Sequence, residues 1–262
     1  MNTKDIPPLT IGRNMIKSRL ILGTGKYANF ELMNAALEAA GVDVVTVAIR
    51  RIDFKAPPET QLTNHLDTKK YKLLPNTAAC FNAEDAVRIA RMSRELGMGD
   101  WVKLEVLSDP DTLLPDPFGT LEATKILVAE GFDVLVYTSD DPVMAMRLED
   151  AGAAAVMPAG SPIGSGQGVL NENSMHIILE KLKVPVIIDA GVGTASDVTR
   201  GMELGAAGIL MNTAVAGARD PEAMASAMGH AWRAGYLAAR AGRIPRRRYA
   251  SASSPMKGLP GE

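Results

Sequence analysis

Cysteine is almost missing from this chain. Cys80 is the one thiol in 262 residues, so an intrachain disulfide is excluded and a reducing compartment suits the composition. A cysteine-ligated metal cluster is excluded with it. Histidine is scarce too: His65, His176 and His230 lie far apart, with no pair at zinc-ligand spacing. We expect no metal and no cofactor. Aromatics make up only 5% of the residues, which leaves the core to Ala, Val, Ile, Leu and Met. Neither sign of charge is in excess. The 28 basic and 30 acidic residues give a formal charge of -2, so no global field draws the chain to nucleic acid or an anionic membrane. Long hydrophobic runs are lacking as well. No stretch reaches the roughly 18 uninterrupted apolar residues of a spanning helix. Met1 to Pro8 has no apolar segment of the secretory type. The expectation is a soluble cytoplasmic protein with no nucleic-acid or membrane partner.

What is present is a globular balance, 47% hydrophobic and 22% charged, too apolar for a disordered chain. One pattern recurs: a helical stretch, a Gly, then a short apolar run. It appears at Gly41 before Val44-Val45-Thr46-Val47 and at Gly131 before Val134-Leu135-Val136-Tyr137. Gly152 precedes Ala155-Val156-Met157, and Gly205 precedes Gly208-Ile209-Leu210-Met211. A left-handed Gly ends each helix, and a continuous apolar run suits a parallel strand covered on both faces. Strands are expected over 20–22, 44–49, 71–74, 101–106, 133–137, 155–157, 185–189 and 208–211. Helices are expected over 29–40 and 83–96. Asp141-Pro142 and Ser196-Asp197 read as helix starts. The connection 53–67 contains Pro and is weak as a helix. About eight strand-then-helix units predict an α/β chain closed as a (β/α)8 TIM barrel, with a doubly wound open sheet as the alternative. No linker splits the chain, so residues 1–262 read as a single barrel domain, with 243–262 as an irregular C-terminal tail.

In such a barrel the chemistry sits at the C-terminal ends of the strands. The fourth strand, Trp101-Val102-Lys103-Leu104-Glu105-Val106, alternates. Val102, Leu104 and Val106 face the helices, and Lys103 and Glu105 face the interior. Desolvation there lowers a lysine pKa and exposes the neutral amine that attacks a carbonyl. The neighbouring carboxylate moves protons, and the alternative is a structural ion pair. Asp189 ends the seventh strand and faces the same mouth. Gly191 and Gly193 let backbone N–H groups approach an anion, and the helix from Ser196 offers its N-terminus. Met211-Asn212-Thr213-Ala214 ends the eighth strand, and loops after strands seven and eight commonly bind phosphate. The Gly-dense stretch Gly160–Gly168 wraps a ligand, closes as a lid, or is a plain surface loop. Lys26 is a mouth lysine, a phosphate contact or an exposed side chain. Arg50-Arg51 is solvated or orients an anionic substrate. Cys80 reads as a small core residue, and Arg243 with Arg246, Arg247 and Arg248 as a solvated run.

These residues resemble a known family. The motifs are Gly23-Thr24-Gly25-Lys26-Tyr27, Val47-Ala48-Ile49-Arg50-Arg51, Leu74-Pro75-Asn76-Thr77 and Val102-Lys103-Leu104-Glu105-Val106. They continue with Pro162-Ile163-Gly164-Ser165-Gly166, Asp189-Ala190-Gly191-Val192-Gly193, Met211-Asn212-Thr213-Ala214 and the tail from Arg248 to Pro255. In this order they look like bacterial thiazole synthase of thiamin biosynthesis, from about Gly12 to Pro255. The resemblance implies a (β/α)8 barrel that condenses 1-deoxy-D-xylulose 5-phosphate, dehydroglycine (2-iminoacetate) and sulfur. The sulfur comes from a small sulfur-carrier protein with a C-terminal thiocarboxylate. It implies Lys103 as the Schiff-base lysine and Glu105 and Asp189 as acid/base carboxylates. Gly164, the pair Ala190-Gly191 and the pair Asn212-Thr213 fall on sugar-phosphate contacts. A dehydroglycine-producing enzyme and a homo-oligomer, a tetramer, are implied as partners. The chain departs at Ala79 and Ala159, where the family pattern has Gly and Leu. Two rival readings are a class I aldolase-type lysine-imine enzyme acting on a sugar phosphate, and a non-catalytic barrel that only docks partners.

Overall fold

A computed structural model describes residues 6–52, 57 and 61–254. The chain opens with an antiparallel hairpin, β1 (Leu9–Ile11) and β2 (Asn14–Ile16). Eight parallel strands follow: β3 (Leu20–Gly23), β4 (Val44–Ala48), β5 (Lys72–Asn76), β6 (Trp101–Leu104), β7 (Asp133–Thr138), β8 (Ala155–Pro158), β9 (Ile187–Asp189) and β10 (Gly208–Met211). Between and after them lie α1 (Phe30–Ala40), α2 (Leu62–His65), α3 (Ala83–Glu95), α4 (Pro117–Ala129), α5 (Pro142–Asp150), α6 (Glu172–Lys181), α7 (Ala195–Leu204), α8 (Thr213–Ala216) and α9 (Pro221–Ala241). The strand order is β8-β7-β6-β5-β4-β3-β10-β9. Parallel bridges Val156–Val186 and Ala159–Asp189 join β8 to β9 and close the ring. The architecture is the (β/α)8 barrel, not the open sheet.

The helix–Gly–strand pattern is present as read: Gly41 and Gly205 end α1 and α7 in the left-handed conformation. Apart from the short α2 and α8, the helix starts carry Asn, Asp or Thr caps. The start expected at Ser196-Asp197 lies two residues earlier, because Thr194 caps α7 and Asp197 is its capping-box partner. Of the weak connection 53–67, residues 61–67 hold the short α2, and residues 53–56 and 58–60 lie outside the described residues. Several strand ends also shift. The 44–49 strand stops at Ala48, where a 3-10 turn over Ile49–Arg51 begins. The third barrel strand runs to Asn76, and the seventh is laddered only from Ile187. The fourth ends at Leu104, because the Glu105 backbone turns to the Thr77 hydroxyl.

Alternation along each strand sorts the core into an inner layer and outer layers. Ile21, Val44, Leu74, Trp101, Leu135, Ala155, Ile187 and Leu210 fill the barrel interior. Val102, Leu104 and Val106 pack outward among the helices, as the alternation requires. Ile11 and Ile16 of the hairpin are fully buried in the interior layer and plug its lower end. At the other end, the loops after the strands converge around a cavity. Arg243 to Ser254 is exposed and in neither helix nor strand, and 255–262 lie outside the described residues. Among the described residues no helix is long and apolar enough to cross a membrane.

Candidate active site

The upper end of the interior replaces hydrocarbon with charge. Lys103 is in register with Asn76 of β5, and Glu105 follows two residues on, so both point inward. Asp189 enters from the far end of β9. Lys103 Nζ lies 2.6 Å from Asp189 Oδ2 and 3.1 Å from Glu105 Oε1. Exposures of 6%, 6% and 3% for Lys103, Glu105 and Asp189 put the whole set out of bulk water. Tyr137 closes one side, its ring centroid 5.7 Å from Nζ.

Burial penalises the charged form of each group, and neighbours decide the balance. For Lys103, burial alone pulls the pKa down. The carboxylates of Asp189 and Glu105 more than offset it, and the net shift is upward. This corrects the expectation that desolvation leaves a neutral amine: the resting group is an ammonium held between two carboxylates. For Asp189, burial is the largest influence. The ammonium of Lys103 opposes it, the charge of Glu105 adds to it, and the carboxyl is pushed up to about 6. The pair is therefore poised unequally, with an ammonium that holds its proton and a carboxylate reluctant to stay charged.

A cavity of about 560 Å³ stands above these groups. Gly164, Ala190, Gly191, Asn212 and Thr213 line it together with Lys103, Glu105 and Asp189. Gly191 has φ +79, and a Cβ there would lie 2.5 Å from the Ser161 backbone nitrogen, so only Gly lets the two loops meet. Gly193 does not line the cavity. Its N–H donates to Asp197 Oδ2 at 2.9 Å, and the Thr194 N–H donates to the same oxygen. The Gly193 and Thr194 N–H groups are thus turned to Asp197 rather than to the cavity. The Gly160–Gly168 loop is tied down at both ends, by Gly168 N–H to Gly191 O and Leu170 N–H to Gly160 O. It presents Ile163 and Gly164 to the cavity as a fixed wall.

One residue here escaped sequence reading. Thr77 is fully buried, and its hydroxyl donates to Glu105 O and accepts from Glu105 N–H, both at 2.8 Å. It takes over the role of a ladder partner where β6 stops, and so sets the direction of the Glu105 carboxylate. Its only signal was a Thr directly after a strand end in Leu74-Pro75-Asn76-Thr77. Thr77→Val keeps the volume and removes both bonds. We expect a stability loss of about 1–3 kcal/mol in denaturant titration, for a backbone N–H left unpaired. A loss below 0.5 kcal/mol would show that the Glu105 backbone finds other partners.

Arg50 and Arg51 divide. Arg50 Nη1 donates to Ala79 O at 2.5 Å and lies 3.8 Å from the buried Cys80 Sγ, whereas Arg51 lines the cavity with Lys26. Burial raises the Cys80 thiol pKa, in keeping with a core residue. Ala79 has φ +63, a left-handed conformation where a Cβ costs about 1–2 kcal/mol. It is one of the two positions at which the resemblance implies a different residue, and the Gly implied there is the residue that conformation favours.

A family model described as thiazole biosynthesis protein ThiG matches residues 10–255. The chain belongs to that family. As a ThiG family member it works in thiazole biosynthesis. Curated relatives carry the name thiazole synthase. The protein of Citrifermentans bemidjiense is 58% identical over 253 residues, 97% of each chain. That of Thermodesulfovibrio yellowstonii is 59% identical over 93% of this chain and 95% of the relative. Among solved structures, the Amycolatopsis orientalis BexX/CysO complex contains a chain that superposes with TM-score 0.84 at 33% identity. The match covers 94% of the present chain and all of that one. A mandelate oxidase shares the fold alone, with TM-score 0.62 at 14% identity over 91% of this chain and 80% of its own.

Proposed function

We propose that this chain is a thiazole synthase of thiamin biosynthesis that works through a Schiff base on Lys103. One observation carries the reading: a lysine amine flanked at 2.6 and 3.1 Å by two buried carboxylates, beneath an open cavity. A lysine that only balanced charge would not need space above it. Lys103 gives a proton to a flanking carboxylate and adds to the ketone of 1-deoxy-D-xylulose 5-phosphate. Loss of water yields an imine that serves as electron sink. Proton shifts by Asp189 and Glu105 then move carbonyl character to the neighbouring carbon. The sulfur of a small carrier protein's thiocarboxylate adds to that carbonyl carbon, and the displaced oxygen passes to the carrier's acyl carbon, so that the acyl–sulfur bond breaks and the carrier leaves as a carboxylate. A second water is then eliminated, and dehydroglycine closes the ring, its nitrogen displacing the Lys103 amine and its imine carbon taking the sulfur. Gly164, Ala190-Gly191 and Asn212-Thr213 hold the sugar phosphate. The relative solved as a two-protein complex supports a protein partner at this fold. No thiol of the chain is needed, since sulfur arrives on the partner and Cys80 is buried.

Reconstitution tests the reading. The chain, the sugar phosphate, dehydroglycine and thiocarboxylated carrier are expected to give a thiazole phosphate by mass spectrometry, and omission of the carrier to give none. Carbon–carbon cleavage of the sugar phosphate without carrier would replace this reading with the aldolase one.

A further inference from the structure

The proposed reaction brings two anions, a sugar phosphate and a thiocarboxylate, to a centre that is itself acidic. One ammonium between two carboxylates leaves Lys103, Glu105 and Asp189 with an excess negative charge when both acids are ionised. Each incoming anion is repelled in a site removed from water, where charges are weakly screened. Backbone N–H groups of the Gly164 and Ala190-Gly191 loops carry only partial charge. The cavity therefore needs full cations away from the triad. Among the described residues that line it, Lys26 and Arg51 are the remaining cations, and neither forms an ion pair with another described residue.

The placement of Arg51 is more specific than that of Lys26. Arg51 ends the turn after β4, Gly25 lies in the loop after β3, and Asn212 follows β10, which pairs with β3. These are three consecutive sectors of the mouth. A Cβ on Gly25 would stand 3.2 Å from Arg51 Nη1 and 3.6 Å from Asn212 Nδ2. The guanidinium and the amide thus both approach the same bare backbone position, near enough to each other for one tetrahedral anion to reach both. Gly23, two residues earlier, leaves room for the Asn212 side chain itself, since a Cβ there would come within 2.6 Å of Asn212 Cβ. Asn212 Oδ1 is buried without a hydrogen-bond partner, so the protein leaves that end of the amide unpaired.

We infer that Arg51 and the Asn212 amide form a clamp around Gly25 that reads the substrate's phosphate group, with Arg51 supplying the charge that distinguishes the phosphorylated sugar from the free sugar. This rests on the imine reading above and adds a side-chain cation to its backbone phosphate contacts. A guanidinium suits the task because its planar fork meets two phosphate oxygens at once, which an ammonium cannot do. The companion Arg50, turned to Ala79 and Cys80, is a built-in comparison.

The test is borohydride trapping on the full chain, read by peptide mass mapping at Lys103, with 1-deoxy-D-xylulose 5-phosphate and with unphosphorylated 1-deoxy-D-xylulose. Arg51→Gln is expected to raise the half-trapping concentration of the phosphorylated sugar roughly ten- to a hundred-fold. Trapping of the unphosphorylated sugar should not change. Arg51→Lys should recover part of the loss. Arg51 is exposed, so these changes leave the fold intact. Unchanged trapping of the phosphorylated sugar in Arg51→Gln overturns the clamp, and so does a loss confined to Lys26→Gln. Calorimetric titration with inorganic phosphate decides the same point without the imine: the wild type should bind it more tightly than Arg51→Gln, and equal binding also overturns the clamp. If the wild type gives no Lys103 adduct while that titration still separates the two proteins, the imine reading fails and the clamp stands.

Discussion

Lys103→Arg is expected to lower turnover by at least about 1,000-fold and to abolish the borohydride adduct, because it removes a nucleophile that the other groups cannot replace. Arginine keeps a cation between Glu105 and Asp189, so the ion pairs at 2.6 and 3.1 Å retain a partner. Its guanidinium holds its proton at any working pH and adds to no ketone. Lys103→Ala is the contrasting variant. It leaves two buried carboxylates facing each other, and breaking a buried ion pair costs about 3–5 kcal/mol. Thermal melting should therefore separate the two: Lys103→Ala melts well below the wild type, and Lys103→Arg stays near it. Turnover in Lys103→Arg within ten-fold of the wild type would end the Schiff-base reading, and an adduct elsewhere, on Lys26 for instance, would move it to another lysine.

Much of this arrangement is legible in the chain because barrel strands obey a simple rule. Charged residues at alternate positions of Val102-Lys103-Leu104-Glu105-Val106 have only the interior to face, and a carboxylate at the tip of the seventh strand faces the same place. The eight strands were legible because each is a short continuous apolar run after a helix-ending Gly. What was not legible depends on partners distant in sequence. The Lys103 pKa could not be read from its own strand, since Asp189, which reverses the effect of burial, arrives from a different one. The N-terminal plug has only Ile11 and Ile16 to mark it, and two isoleucines in a short polar stretch carry no period. Glycine content does not reveal which N–H groups a downstream Asp197 will claim, and the Gly193 N–H expected to approach an anion donates to that carboxylate. Arg50 and Arg51 looked alike in sequence, and only the turn after β4 sends one into the cavity and the other to Ala79 and Cys80.

The second large effect falls on Asp189. The ammonium of Lys103 must lose a proton before it attacks, and the nearer carboxylate, with its pKa pushed up to about 6 by burial, is the better acceptor. A carboxylate accepts only when ionised. The rate of imine formation should therefore be full above pH 6 and fall as pH drops through about 6, the value for Asp189. Asp189→Asn removes the acceptor while keeping its shape, so adduct formation should slow by about 100- to 10,000-fold and the acid limb near pH 6 should disappear. Glu105→Gln separates the two acids. The Glu105 charge helps to raise the Asp189 pKa, so its removal should move the limb to lower pH rather than erase it. Stopped mixing followed by borohydride quench, across a pH series, measures all three proteins. A limb that persists unshifted in Asp189→Asn would give the proton to another group. A limb lost in Glu105→Gln and kept in Asp189→Asn would reverse the assignment, making Glu105 the acceptor and Asp189 the counter-charge that holds the ammonium in place.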